Sequence, residues 1–249
     1  MNKPEFIYGY HTIKALLQTQ PNQILKLYLQ AQRHDDRLQE LMDLAKRSDV
    51  NVARISRHEL DELLEEKVQH QGMVAECKHF TSFHESALES LLSNLEQPKL
   101  VLILDGLQDP HNLGACLRSA NAFGVNAVIA PKDRAVGITP VVRKVASGAV
   151  SITPFVQVTN LARTMRWLQD QGMWIVGTAA ESETSLRDID CSGDIAVVLG
   201  SEGEGMRRLT QKHCDYLARI PMQGTVDSLN VSVATGVCLY EVQRQRGCV

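Results

Sequence analysis

Apolar residues recur along the chain in two rhythms. Within DDRLQELMDLAKRSD (35–49), Leu38, Leu41, Met42 and Ala45 take the spacing that lines one face of a helix. TNLARTMRWLQDQG (159–172) repeats that rhythm between Thr159, its expected cap, and Gly172, its expected stop. Elsewhere the apolar residues form short, almost unbroken runs: KLVLILD, NAVIA, MWIVGT, IAVVLG and YLARI, each separated from the next by helical segments. A strand with one wet face alternates polar and apolar residues, whereas an unbroken run belongs to a parallel sheet covered on both faces. Residues 98–249 are therefore expected to form an α/β domain with a mostly parallel sheet and helices on both faces.

The first part of the chain is patterned differently. HTIKALLQ reads as a helix and ILKLYLQ as a strand, Ser56 and Glu59 form a capping-box pair, and Gly72 to Cys77 reads as a closing strand. Residues 1–78 are expected to be a separate small α/β module. Between the two, residues 79–97 are mostly polar and are expected to be a linker, with Leu88, Leu91, Leu92 and Leu95 as the stripe of a short amphipathic helix.

Composition narrows the class. The 249 residues, 44% hydrophobic and 22% charged, suffice for two ordinary globular domains. No stretch approaches the roughly 18 apolar residues of a membrane helix. The opening MNKPEFIYGYHTIK lacks the apolar core of a signal peptide, so a cytoplasmic location without a membrane partner is expected. The six cysteines are scattered, with no C-x-x-C and no histidine pair at zinc spacing; they are expected to be reduced and to bind no metal. A net charge of -3 argues against a protein that holds nucleic acid mainly by bulk electrostatics. Local basic clusters at Lys132, Arg134, Arg143 and Lys144, and at Arg207, Arg208 and Lys212, are equally compatible with a solvated surface.

Candidate chemistry collects where expected strands end, the position at which open α/β sheets bind ligands. After LVLILD come Asp109, Pro110, Asn112, Gly114 and Arg118, with Asn112 and Arg118 able to approach one ligand from neighbouring helical turns. After IAVVLG comes a loop with Gly200, Gly203 and Gly205 around Glu202 and Glu204. Such a loop permits close backbone approach and suggests a phosphate-binding turn. Its G-x-x-G-x-G spacing is not the dinucleotide fingerprint, it follows a late strand, and its two glutamates would repel a pyrophosphate, so a ligand carrying cationic groups suits it better. The third cluster, RIPMQGTVDSLNVSVATG, places Ser228, Leu229 and Asn230 at the start of a long helix, with Ser228 as its expected cap. Small residues Ser232, Ala234, Thr235 and Gly236 suggest tight packing against another backbone.

Taken in order, N-x-G-x-x-x-R, LGSEGEGM and IPM with SLNVSVATG resemble the three motifs of the SpoU/TrmH class of SPOUT RNA 2′-O-ribose methyltransferases, and most closely those acting on guanosine in bacterial 23S rRNA. The resemblance implies a catalytic domain with a deep trefoil knot, preceded by an RNA-binding domain like ribosomal protein L30e. It implies S-adenosylmethionine as methyl donor, 23S rRNA near the peptidyl-transferase region as substrate, and a homodimer with sites near the subunit interface. Carried onto matching positions, donor contacts fall at Thr178, Gly200, Ile220 and Leu229, and catalytic or RNA-contacting roles at Asn112, Arg118, Glu202, Ser228 and Asn230. KVASGAV departs from the family pattern, and Ser147 is left out of the site. A tRNA ribose is the nearest alternative substrate; a non-enzymatic rRNA-binding assembly protein is the alternative of a different class.

Arg118 is the family's proposed base, but a guanidinium ordinarily stays protonated. It stands either as the base or as the group that fixes hydroxyl and phosphate together, and the sequence leaves both open.

Overall fold

Leu38, Leu41 and Ala45 are fully buried while the rest of their helix meets solvent, so the helical rhythm does translate into a packed face. The computed structural model describes residues 4–33, 35–64, 70–78, 83–93, 95 and 98–248. The chain divides into two units, Met1–Thr81 and Ser82–Val249.

The first unit runs β1 (Glu5–Tyr8), α1 (Tyr10–Thr19), β2 (Ile24–Gln30), α2 (Asp36–Arg47), β3 (Val52–Ile55), α3 (Arg57–Glu62) and β4 (Met73–Cys77). Its sheet has the order β1-β4-β2-β3; β4 is antiparallel to both neighbours, and β3 lies parallel to β2. The capping box forms as expected: Ser56 accepts from Glu59 N while the Glu59 carboxylate accepts from Ser56 N.

The second unit runs β5 (Phe83–His84), α4 (Ala87–Ser93), β6 (Leu100–Asp105), α5 (Pro110–Ala122), β7 (Ala127–Pro131), α6 (Pro140–Ala146), α7 (Ala149–Ile152), β8 (Phe155–Val158), α8 (Leu161–Asp170), β9 (Trp174–Thr178), β10 (Ile195–Gly200), α9 (Arg208–Lys212), β11 (Tyr216–Ala218) and α10 (Val231–Gln245). Every pairing in its seven-stranded sheet, ordered β11-β9-β10-β6-β7-β8-β5, is parallel. Along β6, Leu100, Leu102 and Leu104 enter one apolar cluster, while Val101 and Ile103 enter another. That is why the strands read as unbroken apolar runs: each face is covered.

Three local expectations are corrected. Part of the stretch expected as a linker belongs to the second unit: β5 adds to its sheet, and Leu88 and Leu92 of α4 bury with Val101 and Ile103. Amphipathic spacing marks a face to be buried, not its partner. Residues 79–82, 94, 96 and 97 lie outside the described residues. α8 is capped by Asn160 rather than Thr159, its side chain accepting from Arg163 N at 3.0 Å, while Gly172 does follow the helix at φ 83°. α10 begins at Val231 with Asn230 as cap, so Ser228 lies outside it.

From β6 the chain steps outward to β7 and β8, crosses to β9, returns to β10 beside β6, and ends at the edge in β11. The direction of winding thus reverses between β6 and β10, and their carboxyl ends flank the crevice where such sheets take ligands.

At the opposite end, the guanidinium of Arg246 donates to the carbonyls of Pro98, Lys99, Cys191 and Gly193 at 3.1, 3.0, 3.1 and 2.6 Å. It ties the end of α10 to two distant segments. Hydrogen bonds from a charged donor are worth about 1.5–3 kcal/mol each when isolated but are not additive. Arg246→Ala is expected to cost about 2 kcal/mol and lower the melting temperature by roughly 4–8 °C. A melt indistinguishable from wild type by circular dichroism would remove Arg246 from the stabilising set.

Candidate active site

The turn after β6 is shaped by Asp109. Its carboxylate accepts from the backbone N–H groups of His111 and Asn112 at 2.6 and 3.0 Å, while Pro110, which has no N–H to satisfy, opens α5. This fixes Asn112 in the first turn. Gly114, one turn on, is required by packing: a Cβ there would stand 2.7 Å from Val145 Cβ and 2.9 Å from the Val142 carbonyl.

The loop after β10 is a tight hairpin. Ser201 N donates to Gly205 O at 3.1 Å and Gly205 N to Ser201 O at 3.0 Å, with Gly203 and Gly205 at φ 81° and 67°. The fold-back brings Gly205 over Gly200, where a Cβ would sit 2.0 Å from the Gly205 carbonyl carbon. Gly200 is thus required by backbone against backbone and Gly203 and Gly205 by their left-handed conformation, and the hairpin projects Glu202 outward.

Three side chains from separate parts of the chain then meet. Asn112 Nδ2 donates to Glu202 Oε1 at 3.0 Å, Asn230 Nδ2 donates to Asn112 Oδ1 at 3.0 Å, and Asn230 Nδ2 also reaches Glu202 Oε1. Asn230 Oδ1 accepts from Ser232 N at 2.9 Å, so one side chain both caps α10 and joins the cluster. Asn112 and Asn230 lie 118 positions apart in sequence, a meeting that depends on α10 packing beside α5.

Arg118 lies on the exposed side of α5 and has no hydrogen bond or ion pair among the described residues. It is not part of the Asn112–Glu202–Asn230 cluster. Six residues of helix correspond to about 9 Å along the axis, a span that ribose and an adjoining phosphate can bridge. Ser228 is exposed beyond the α10 cap and has no side-chain partner among the described residues.

The positions expected to hold the donor fall on or next to neighbouring strands. Thr178 ends β9 with its hydroxyl donating to Val198 O at 3.1 Å and is in register with Ala218 of β11, Gly200 ends β10, and Ile220 follows β11. Leu229 is half-buried just before α10. Ile220 lies past the strand it was expected to end, since β11 stops at Ala218.

A buried carboxylate escaped the sequence reading. Asp105, the last residue of β6, has a fully buried side chain that accepts from Arg207 N at 2.9 Å and from Arg207 Nε at 2.7 Å. Arg207 is therefore an ion-pair partner and not a free member of the basic cluster. The available signal was an acid closing an otherwise apolar strand, since a buried charge needs a partner. Cysteine chemistry is remote: burial pushes the Cys116 thiol up to about 11 and that of Cys238 up to about 12, far from the thiolate a nucleophile needs. Among the described residues there is no cluster of three metal-ligating side chains, and no helix is long and apolar enough to cross a membrane.

The model of the SpoU rRNA Methylase family matches residues 99–240, and that described as RNA 2'-O ribose methyltransferase substrate binding matches residues 6–83. A protein of Coxiella burnetii named 23S rRNA (guanosine-2'-O-)-methyltransferase RlmB is 62% identical over 99% of this chain and 98% of its own length. The protein of the same name from Escherichia coli is 50% identical over 97% of this chain and 99% of its own. Among solved structures, the SpoU methyltransferase AviRb of Streptomyces viridochromogenes in complex with AdoMet is similar with a TM-score of 0.76 at 23% identity, covering 98% of this chain and 90% of that one.

Proposed function

The chain belongs to the SpoU rRNA Methylase family, and on that premise we propose that it transfers a methyl group from S-adenosylmethionine to the ribose 2′-hydroxyl of a guanosine in 23S rRNA. The observation that carries this reading is the convergence of Asn112, Glu202 and Asn230 at the reversal point of the sheet. A non-enzymatic RNA binder has no need of that arrangement.

When bound, the donor supplies a methyl group already activated on a sulfonium. The residues at its expected place fit it: Thr178, Gly200 and Ile220 lie at or just beyond the ends of β9, β10 and β11, and the glycine hairpin keeps side-chain bulk away from the backbone there. What this chain contributes is position. The Asn112–Glu202–Asn230 cluster ties the three motif segments into one rim, and Arg118, uncommitted and cationic, faces outward to hold the target ribose with its phosphate. Ser228 joins that rim on the RNA side.

The finer architecture completes the proposal. Residues 1–78, an L30e-like domain, recruit the RNA, and residues 98–249 form the transferase together with β5 and α4, which share its sheet and core. The segment after β11 threads a trefoil knot, a reading supported by its contact with the β9–β10 connection: Arg219 N donates to Thr184 O at 2.9 Å and Leu186 N to Arg219 O at 3.0 Å. The enzyme is a cytoplasmic homodimer. On α10, Val233, Val237 and Tyr240 are 52%, 40% and 49% exposed along one stripe, opposite a buried face formed by Val231, Thr235, Cys238 and Val242. A helix apolar on both sides calls for a second partner.

The test is methylation of 23S rRNA from a strain lacking the enzyme, with the modified nucleotide mapped by mass spectrometry and donor binding measured by calorimetry. Methylation of tRNA alone would replace the substrate, and no donor binding would replace the enzyme with an assembly protein. Light scattering with a monomer mass at full activity would remove the dimer.

A further inference from the structure

The hairpin that projects Glu202 is held at both stems by a single residue. On one side Gly200 pairs with Asp105 across the β10–β6 ladder. On the other, Arg207 closes the loop by giving its backbone N–H and its guanidinium to the Asp105 carboxylate, which is fully buried. Asp105 also ends the strand that leads into the Asn112 turn. One buried carboxylate therefore sets the distance between the loop bearing Glu202 and the helix bearing Asn112.

We propose that Arg207, through its ion pair with Asp105, is a positioning residue for the methyl transfer: it holds the 201–206 hairpin in the register at which Glu202 reaches Asn112 and Asn230. The inference rests on the proposed function for its catalytic consequence, but not for its geometry. A simple stabilising ion pair would shift the folding equilibrium equally for every activity. A positioning pair acts through Glu202, so its effect disappears once Glu202 can no longer bind its partners. Arg207 has its side chain 44% exposed, so removing it opens no cavity in the core.

The first measurement needs no substrate. Hydrogen exchange on the full chain should show the Ser201 and Gly205 amides, bonded to each other's carbonyls, exchanging faster in Arg207→Ala while the α8 amides keep their protection. Exchange unchanged at the hairpin, or raised everywhere, would overturn the proposal. The second is a double-mutant cycle on the single-turnover rate with saturating donor and 23S rRNA. Arg207→Ala should slow the step by about 10- to 100-fold, a scale reached by small misplacements. Arg207→Lys, which keeps a cation at Asp105, should recover part of it. The Arg207→Ala/Glu202→Ala chain, in which the acceptor for Asn112 and Asn230 is gone, should be within about threefold of Glu202→Ala alone, since residues acting as a unit are not additive. Losses that multiply would overturn the proposal. If Asp105 without its partner prevents folding, Asp105→Asn with Arg207→Ala leaves no buried charge and repeats both measurements. A wild-type chain that methylates no RNA would overturn the underlying functional reading, while the exchange result still decides whether Arg207 anchors the hairpin.

Discussion

Arg118→Ala is expected to lower the single-turnover methylation rate by about 10²–10⁴-fold, the range associated with losing a positioned group at the reacting atoms. Two independent readouts should not change. Arg118 is exposed and has no partner among the described residues, so the melting temperature should stay at the wild-type value. Donor affinity should also hold, because the proposed donor positions lie on β9, β10 and the segment after β11 rather than on α5. Arg118→Lys separates the two possible roles. Lysine keeps the charge and gives up its proton more readily than arginine, but it lacks the planar fork that holds a hydroxyl and a phosphate together. If geometry dominates, the lysine chain is nearly as slow as the alanine chain at every pH from 6.5 to 9.5. If proton removal dominates, its rate climbs with pH as the amine deprotonates. We expect the former, and a pH-rescued lysine variant would reverse the assignment; an active alanine variant would take Arg118 out of the site.

Asn230 is expected to show the second-largest effect, because it has two roles that substitution can separate. Its Oδ1 caps α10 through Ser232 N, and its Nδ2 bonds Asn112 and Glu202. Asn230→Ala loses both: about 1 kcal/mol of stability from the cap and, with the three segments no longer tied, about 10²-fold in rate. Asn230→Asp retains an excellent cap but places a carboxylate against Glu202 and removes the amide donor. Its melting temperature should stay close to wild type while its activity falls as far as that of the alanine variant. An Asn230→Asp chain as active as wild type would show that the cap alone matters.

These two residues illustrate different routes from sequence to site. Arg118 was legible through the spacing of its motif, and the structure adds that it is uncommitted. Asn230 was legible as a site position, but its use as the α10 cap was not, since Ser228 was the expected cap. Ser, Asn and Asp cap helices almost equally well, so in a run such as DSLN the choice falls to whichever residue the packing of α10 on α5 leaves at the right height. The same ambiguity separates Thr159 from Asn160 at α8.

Local order fixed what local chemistry can fix. Unbroken apolar runs required a doubly covered parallel sheet, the Ser56–Glu59 pair required a helix start, and the glycines after β10 required a turn, because each depends on neighbours within a few residues. Strand order, the inclusion of β5 and α4 in the second sheet, the meeting of Asn112 with Glu202 and Asn230, and the burial of Asp105 under Arg207 were decided only by the tertiary structure. The periodicity of a segment states which face it must bury and is silent on what will cover it. The cost of burying Asp105 without a partner is settled by an arginine 102 positions away, a relation that no local window contains.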